Sequence, residues 1–130
     1  MHVKLQLVMY NDQGDEEIVT DVITLNKNNQ RIEHLGLTLG ESKQLLSILQ
    51  RHLLQQQITT FLDTRSTCPD CGTPLKLKAR GSRSFRTLFG TLQFYSPRLE
   101  HCDCTRHKTS SFWPLSALLT ESVAPELLYI

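Results

Sequence analysis

Along residues 3–10 the segment VKLQLVMY alternates apolar and polar positions, so that an extended chain places Val3, Leu5, Leu7 and Met9 on one face. The following NDQGD supplies Asn, Asp and Gly for a turn, and IVTDVITL is rich in β-branched residues. The pattern predicts a β-hairpin. Because a lone two-stranded hairpin is marginal in water, it needs a further element to pack on or pair with.

The period then changes. Thr38-Leu39-Gly40-Glu41 fits a capping box, in which the Thr hydroxyl takes an orphan amide of the first turn and the Glu side chain reaches back. From Glu41 to Leu62, apolar residues recur at Leu45, Leu46, Leu49, Leu53, Leu54, Ile58, Phe61 and Leu62, which predicts an amphipathic helix over 41–62. At 1.5 Å per residue this helix is about 33 Å long, more than a small hairpin can cover. The stripe formed by Leu46, Leu49, Leu53 and Ile58 therefore calls for a second cover, either the segment from Trp113 to Leu128 or another copy of the chain. Phe112, Trp113 and Leu115 have the intervening β module to pack on, which favours self-association through the helix.

Beyond Thr67 the pattern shortens into turns and strands. LKLKA and SFRTLFG read as two strands, Gly90 as a turn, and TLQFYSPRL as a third strand ending near Pro97. A polar loop, TRHKTSS, leads to FWPLSALLTESVAPELLYI, with one short helical stretch around Leu115 to Leu119 and another beginning near Pro125, where proline suits a first helical position. The chain thus reads as α+β: a hairpin and long helix (1–65), a small β module (66–110) and a short helical tail (111–130).

Composition adds what is excluded. At 130 residues, 39% hydrophobic and 21% charged, the chain suits one ordinary core or two small ones, and nothing in it approaches the roughly 20 apolar residues of a membrane helix. The N-terminus lacks the apolar stretch and cleavage site of a signal peptide, and a cytoplasmic location is expected. The charge is uneven. Residues 1–65 carry six Lys and Arg against eight Asp and Glu, whereas 66–130 carry eight against five.

All four cysteines fall in CPDCG, residues 68–72, and HCDC, residues 101–104. Two residues between thiols on a tight turn can present both to one ion, with Pro69 stiffening the turn and Gly72 permitting positive φ. Cys102 and Cys104 have a single residue between them, which is harder to aim, so His101 and His107 stand as reserve ligands. A thioredoxin-like redox pair requires a βαβ setting that the strands after Cys71 do not provide, and a disulfide framework requires an oxidising compartment. The spacing favours a zinc ribbon with Cys68, Cys71, Cys102 and Cys104 as ligands and Zn2+ as cofactor, holding a β module whose own core is small. His2, His34 and His52 read as surface or helix-face residues. No HExxH, GxSxG, Walker-type or paired-carboxylate constellation occurs, and no catalytic site is read from the chain.

Between and just beyond the cysteine pairs lie Lys76, Lys78, Arg80, Arg83, Arg86, Arg98, Arg106 and Lys108, against Glu100 and Asp103 alone. A charge run of this kind is often just a solvated face. Here it interleaves with Phe85, Phe89 and Tyr95 on a metal-held scaffold, and Lys76, Lys78, Arg80, Arg83, Arg86 and Arg98 become the candidate phosphate contacts for DNA.

LGLTLGESKQLL, CPDCG, FRTLFGTLQFYSPRL, the second cysteine pair and PLSALLTESVAPELLY occur in an order that resembles the N-terminal region of ISKra-type insertion-sequence transposases, over nearly the whole chain. In that family the region precedes a catalytic domain of RNase H-like fold with acidic metal ligands. The resemblance implies a DNA-end-recognition and assembly portion without catalysis of its own, and it carries the ligand role to Cys68, Cys71, Cys102 and Cys104. A different reading stays open beside it: a protein-interaction or oligomerisation adaptor in which the zinc ribbon is structural.

Overall fold

A computed structural model describes residues 1–28, 31–104 and 110–129, the last two without their side chains. It is a mixed α and β structure that divides into two compact units, Met1–His52 and Leu53–Ile130.

The first unit opens with an antiparallel hairpin of β1 (His2–Tyr10) and β2 (Glu16–Asn26). Asn11 builds the turn: its side-chain oxygen accepts the amides of Gln13 and Asp15 at 3.0 Å each, and Gly14 takes φ +87°. Val3, Leu5, Leu7 and Met9 are half-buried on one face, opposite Leu25, Ile23, Thr20 and Ile18. The register shifts between Leu5 and Gln6, where Val22 is the extra residue, and Val22, Ile23 and Leu25 are the buried side chains of β2. After β2 the chain makes a short 3₁₀ turn, Ile32–His34, and enters α1 (Leu39–Thr64).

The capping box forms as the sequence predicts. The Glu41 amide donates to Thr38 Oγ1 at 3.1 Å, and the Thr38 amide donates to Glu41 Oε1 at 2.9 Å. Lys27, at the end of β2, forms an ion pair with the same carboxylate and donates to the His34 carbonyl at 3.4 Å, so one half-buried ammonium ties strand, turn and helix start together. The Lys27 ammonium first, and then the Thr38 amide, hold the Glu41 carboxyl below its ordinary value of 4.5.

From Leu53 the helix belongs to the second unit, whose sheet has the order β3-β4-β5, with β3 Leu77–Thr87, β4 Gly90–Glu100 and β5 Ser111–Phe112. The two strands expected from LKLKA and SFRTLFG are one continuous strand, since Arg80, Gly81 and Ser82 pair with Pro97, Ser96 and Tyr95. Gly81 marks a close approach: a Cβ there would stand 3.1 Å from both the Ser96 carbonyl oxygen and the Trp113 ring. Pro97 does not end β4 either. β5 reaches only Leu99 and Glu100, so at Pro97 the strand has an open side on which a missing N–H costs no ladder bond. The tail adds 3₁₀ turns at Pro114–Ala117 and Pro125–Tyr129.

The core of this unit joins Ile58, Phe94, Leu115 and Leu119, with Leu54, Phe61, Leu62, Phe85 and Leu92 packed against it. Leu115 is fully buried among them, so the tail covers Ile58 on the helix and Phe94 on the sheet at once. Within this unit Leu53 remains 43% exposed, and in the first unit Leu46 is 42% exposed. Among the described residues no helix is long and apolar enough to cross a membrane.

Two consequences can be measured. Stability contributed by the depressed Glu41 carboxyl is present above the unfolded value near pH 4.5 and disappears as pH falls through the folded one. Glu41→Gln should therefore flatten the pH dependence of thermal unfolding in the acid range, and equal curves for both proteins would remove Glu41 from that role. At Gly81 the carbonyl neighbour cannot rotate away, so Gly81→Ala should cost about 1–3 kcal/mol. It should also shift the emission of Trp113, the only tryptophan in the chain. Unchanged emission and stability would show that the ring is not held there.

Candidate metal centre and cationic strand face

The ladder of β3 and β4 continues one step beyond the strands, where the Glu100 amide donates to the Lys76 carbonyl at 2.8 Å. The two cysteine segments consequently leave the open end of the hairpin side by side. In the first, the Gly72 amide donates to the Cys68 carbonyl and the Cys68 amide to the Thr73 carbonyl, each at 2.9 Å, while Thr67 bridges Pro74. Gly72 takes φ +74°, the conformation that its place in CPDCG suggests. In the second, the His101 amide donates to the Ser110 carbonyl at 3.1 Å.

Four sulfurs converge. Cys68 Sγ lies 3.5 Å from Cys104 Sγ, Cys71 Sγ lies 3.4 Å from Cys102 Sγ, and all four stand within 4.8 Å of one another. None of the four is in a disulfide, since the gaps are far beyond the roughly 2.05 Å of an S–S bond. A tetrahedron of sulfurs about 2.3 Å from a central ion has edges of about 3.8 Å, within the observed spread. The set is close enough to coordinate a metal ion. The short Cys102-Asp103-Cys104 spacing works because each of its thiols faces a different cysteine of the first pair. Among the described residues no histidine joins the group. The His101 ring is stacked on Phe112 with centroids 4.7 Å apart. His107 lies outside the described residues.

The thiols do not titrate alike. The Thr73 hydroxyl, 3.2 Å from Cys71 Sγ, and then the Thr73 amide pull the Cys71 thiol down to about 6, with Cys102 and Cys104 adding to the effect. Cys104 is pushed well up by the side chains of Cys102, Cys68 and Cys71. Four sulfurs this close cannot share several negative charges without a cation, so the first thiolate to form holds the protons on its neighbours. A divalent ion reverses that balance and deprotonates its ligands. Thr73 is a contributor that the cysteine spacing alone does not announce.

The six candidate DNA-binding cations do not share one surface. On β3, Arg80 and Arg86 are exposed, whereas Arg83 is half-buried and pairs with the buried Phe94. Lys76 and Lys78 are exposed near the cysteine end, with Lys78 Nζ 4.0 Å from Glu100. Arg98 is engaged inside the unit: its Nε donates to Ser111 Oγ at 2.7 Å, and its guanidinium stands 6.0 Å from the Trp113 ring. Arg106 and Lys108 lie outside the described residues. Comparison of the chain with protein-family models, with curated proteins and with solved structures finds no match.

Cys71 and Cys104 are exposed, and a cavity of about 300 Å³ beside Cys68 and Cys102 gives a chelator a path to the inner pair. We expect one metal ion per chain, released by a chelator with loss of the fold around the cysteines. Cys68→Ser and Cys104→Ser should lose it alike, since each faces the other. Full metal content in Cys104→Ser would bring His107 into the site, and a folded, metal-free wild type with four reactive thiols would remove the site altogether.

Proposed function

We propose that this chain is a zinc-ribbon DNA-binding and assembly module of a transposase-like protein, acting in the cytoplasm and without catalysis of its own. The observation that carries the reading is the sulfur tetrad at one end of a stiff two-stranded ribbon whose outer face bears Arg80 and Arg86. Zinc suits four thiolates in a tetrahedral setting, where nothing in the donor set calls for redox chemistry, and cysteines outside disulfides suit a reducing compartment. The metal substitutes for the large core that so small a sheet lacks. Arginines fixed on a ribbon can neutralise phosphates without reading bases, and Lys76 and Lys78 extend the positive strip toward the metal end. The resemblance of the ordered motifs to ISKra-type transposases supplies the biological setting.

A second reading has its own support in the first unit. Ile32, Leu35, Leu37 and Leu39 are 83%, 64%, 51% and 72% exposed, and Met1, Val3, Leu5 and Leu25 line an apolar groove with Leu35 and Leu37. Such a surface suits an adaptor that engages a protein, including another copy of this chain through the exposed leucines of the helix.

Duplex binding separates the two. Arg80→Glu/Arg86→Glu should weaken it and reduce the log-log salt slope by about 0.9 for each phosphate that is no longer neutralised, with the metal content unchanged. Arg83→Gln should change it less. Undiminished binding in the double variant would move the DNA surface elsewhere, and no affinity of the wild type at low salt would leave the adaptor reading.

A further inference from the structure

The tip of the β3-β4 hairpin has the wrong residues for a simple turn. Two-residue hairpin turns favour Gly, Asn and Asp, yet here Leu88 and Phe89 connect Thr87 to Gly90 and remain 46% and 40% exposed. Gly90, at φ +129°, takes the positive angle, so neither apolar residue has to. The tip is also fixed. Thr87, itself buried, accepts the Phe89 amide with its Oγ1 at 3.1 Å and donates the hydroxyl to the Gly90 carbonyl at 2.8 Å. One residue back, the tail clasps the strand: the Arg86 amide donates to the Ser122 carbonyl at 2.8 Å, and the Ala124 amide donates to the Arg86 carbonyl at 2.7 Å. Two large apolar side chains are thus held out into water on a rigid support.

The charge around them identifies the occupant. Arg86 is exposed at the base of the tip, and Arg80 lies on the same face six residues earlier, about 20 Å along the strand. Within the two long strands the one acid is Glu100, at the opposite end beside Lys78, while the tail that clasps Arg86 carries the exposed Glu121 one residue before Ser122. An apolar tip flanked by arginines fits a polyanion with apolar steps inside it. Proteins that kink duplex DNA combine these two features: cations on the backbone and an apolar wedge between base steps, which bends the helix by about 20–90°. A neutral lipid surface or an uncharged protein groove would accept the apolar tip but would leave the arginine strip without its counter-charge, and the DNA-binding reading above selects a duplex among polyanions.

We infer that Leu88 and Phe89 form a wedge that inserts at a base step of duplex DNA and kinks it, with Arg86 and Arg80 on the flanking phosphates. The inference rests on the DNA-binding reading above and adds the mode of binding to it.

The test uses the full zinc-loaded chain and a short duplex carrying a donor and an acceptor dye at its ends. Wild-type protein should bring the ends closer and raise energy transfer, and Phe89→Tyr should do the same. Leu88→Ala/Phe89→Ala should bind with an unchanged salt slope but produce no bend. Because the tip is exposed, the thermal stability of the double variant should match wild type. A wild type that binds no duplex would overturn the DNA reading and this mode with it. Binding without a bend, or the same bend in the double variant, would overturn the wedge alone. Loss of self-association in the double variant with bending intact would make the tip a protein contact and overturn the wedge as well.

Discussion

The approach of four sulfurs at the open end of one hairpin is the constraint on which the second unit depends. Thiols 3.4 and 3.5 Å apart are tolerable as neutral groups or around a cation, and costly as neighbouring anions. The backbone has been shaped to bring them there. The step from Glu100 to Lys76 sets the two cysteine segments side by side, and Gly72 closes the first into a turn that returns to Thr73. The opposite end is closed by Thr87 and the edge by residues 122–124, so the ribbon is pinned at three places. Its apolar core is modest, with Ile58 and Leu115 the largest fully buried side chains. A metal ion bound by such a set contributes its binding energy to folding, which is how small β modules compensate for limited core area.

Much of this was legible where chemistry is local. The capping box needs only Thr38 and Glu41 at a fixed spacing, and both of its hydrogen bonds are present. The hairpin follows from alternation and an Asx turn, and the cysteine group from two short spacings. What escaped was set by contacts distant in sequence. Gly81 and Pro97 look like breaks in a strand, but Gly81 makes room for Trp113 and Pro97 sits where β4 has one neighbour. Neither fact can be read before the tail is placed. Nor could the sequence show that Leu115 serves helix and sheet together, because that depends on where a 3₁₀ turn docks.

The cysteine spacing shows a related limit. One residue between Cys102 and Cys104 looks too short if both must turn toward an ion from one knuckle. In the fold the tetrahedron is shared across the knuckles, Cys68 with Cys104 and Cys71 with Cys102. The second segment turns at Asp103 and Cys104, and its two thiols then face different cysteines of the first.

Charge counting misleads in a comparable way, and strand parity corrects it. Arg80, Arg83 and Arg86 are three residues apart, a spacing that would nearly align them on a helix but places the middle one on the opposite face of a strand. Arg83 accordingly pairs with Phe94, while Arg98 is held by Ser111 and lies beside Trp113. A guanidinium engaged inside the unit stabilises packing around it and is a poor phosphate contact. Of the arginines on the ribbon, Arg80 and Arg86 thus combine exposure with a common face. Two fixed charges give little affinity alone, since surface electrostatics is screened within about 8–10 Å at physiological salt. That weakness is the physical reason why a surface of this kind needs either a further contact, such as an apolar tip, or several copies acting together on one duplex.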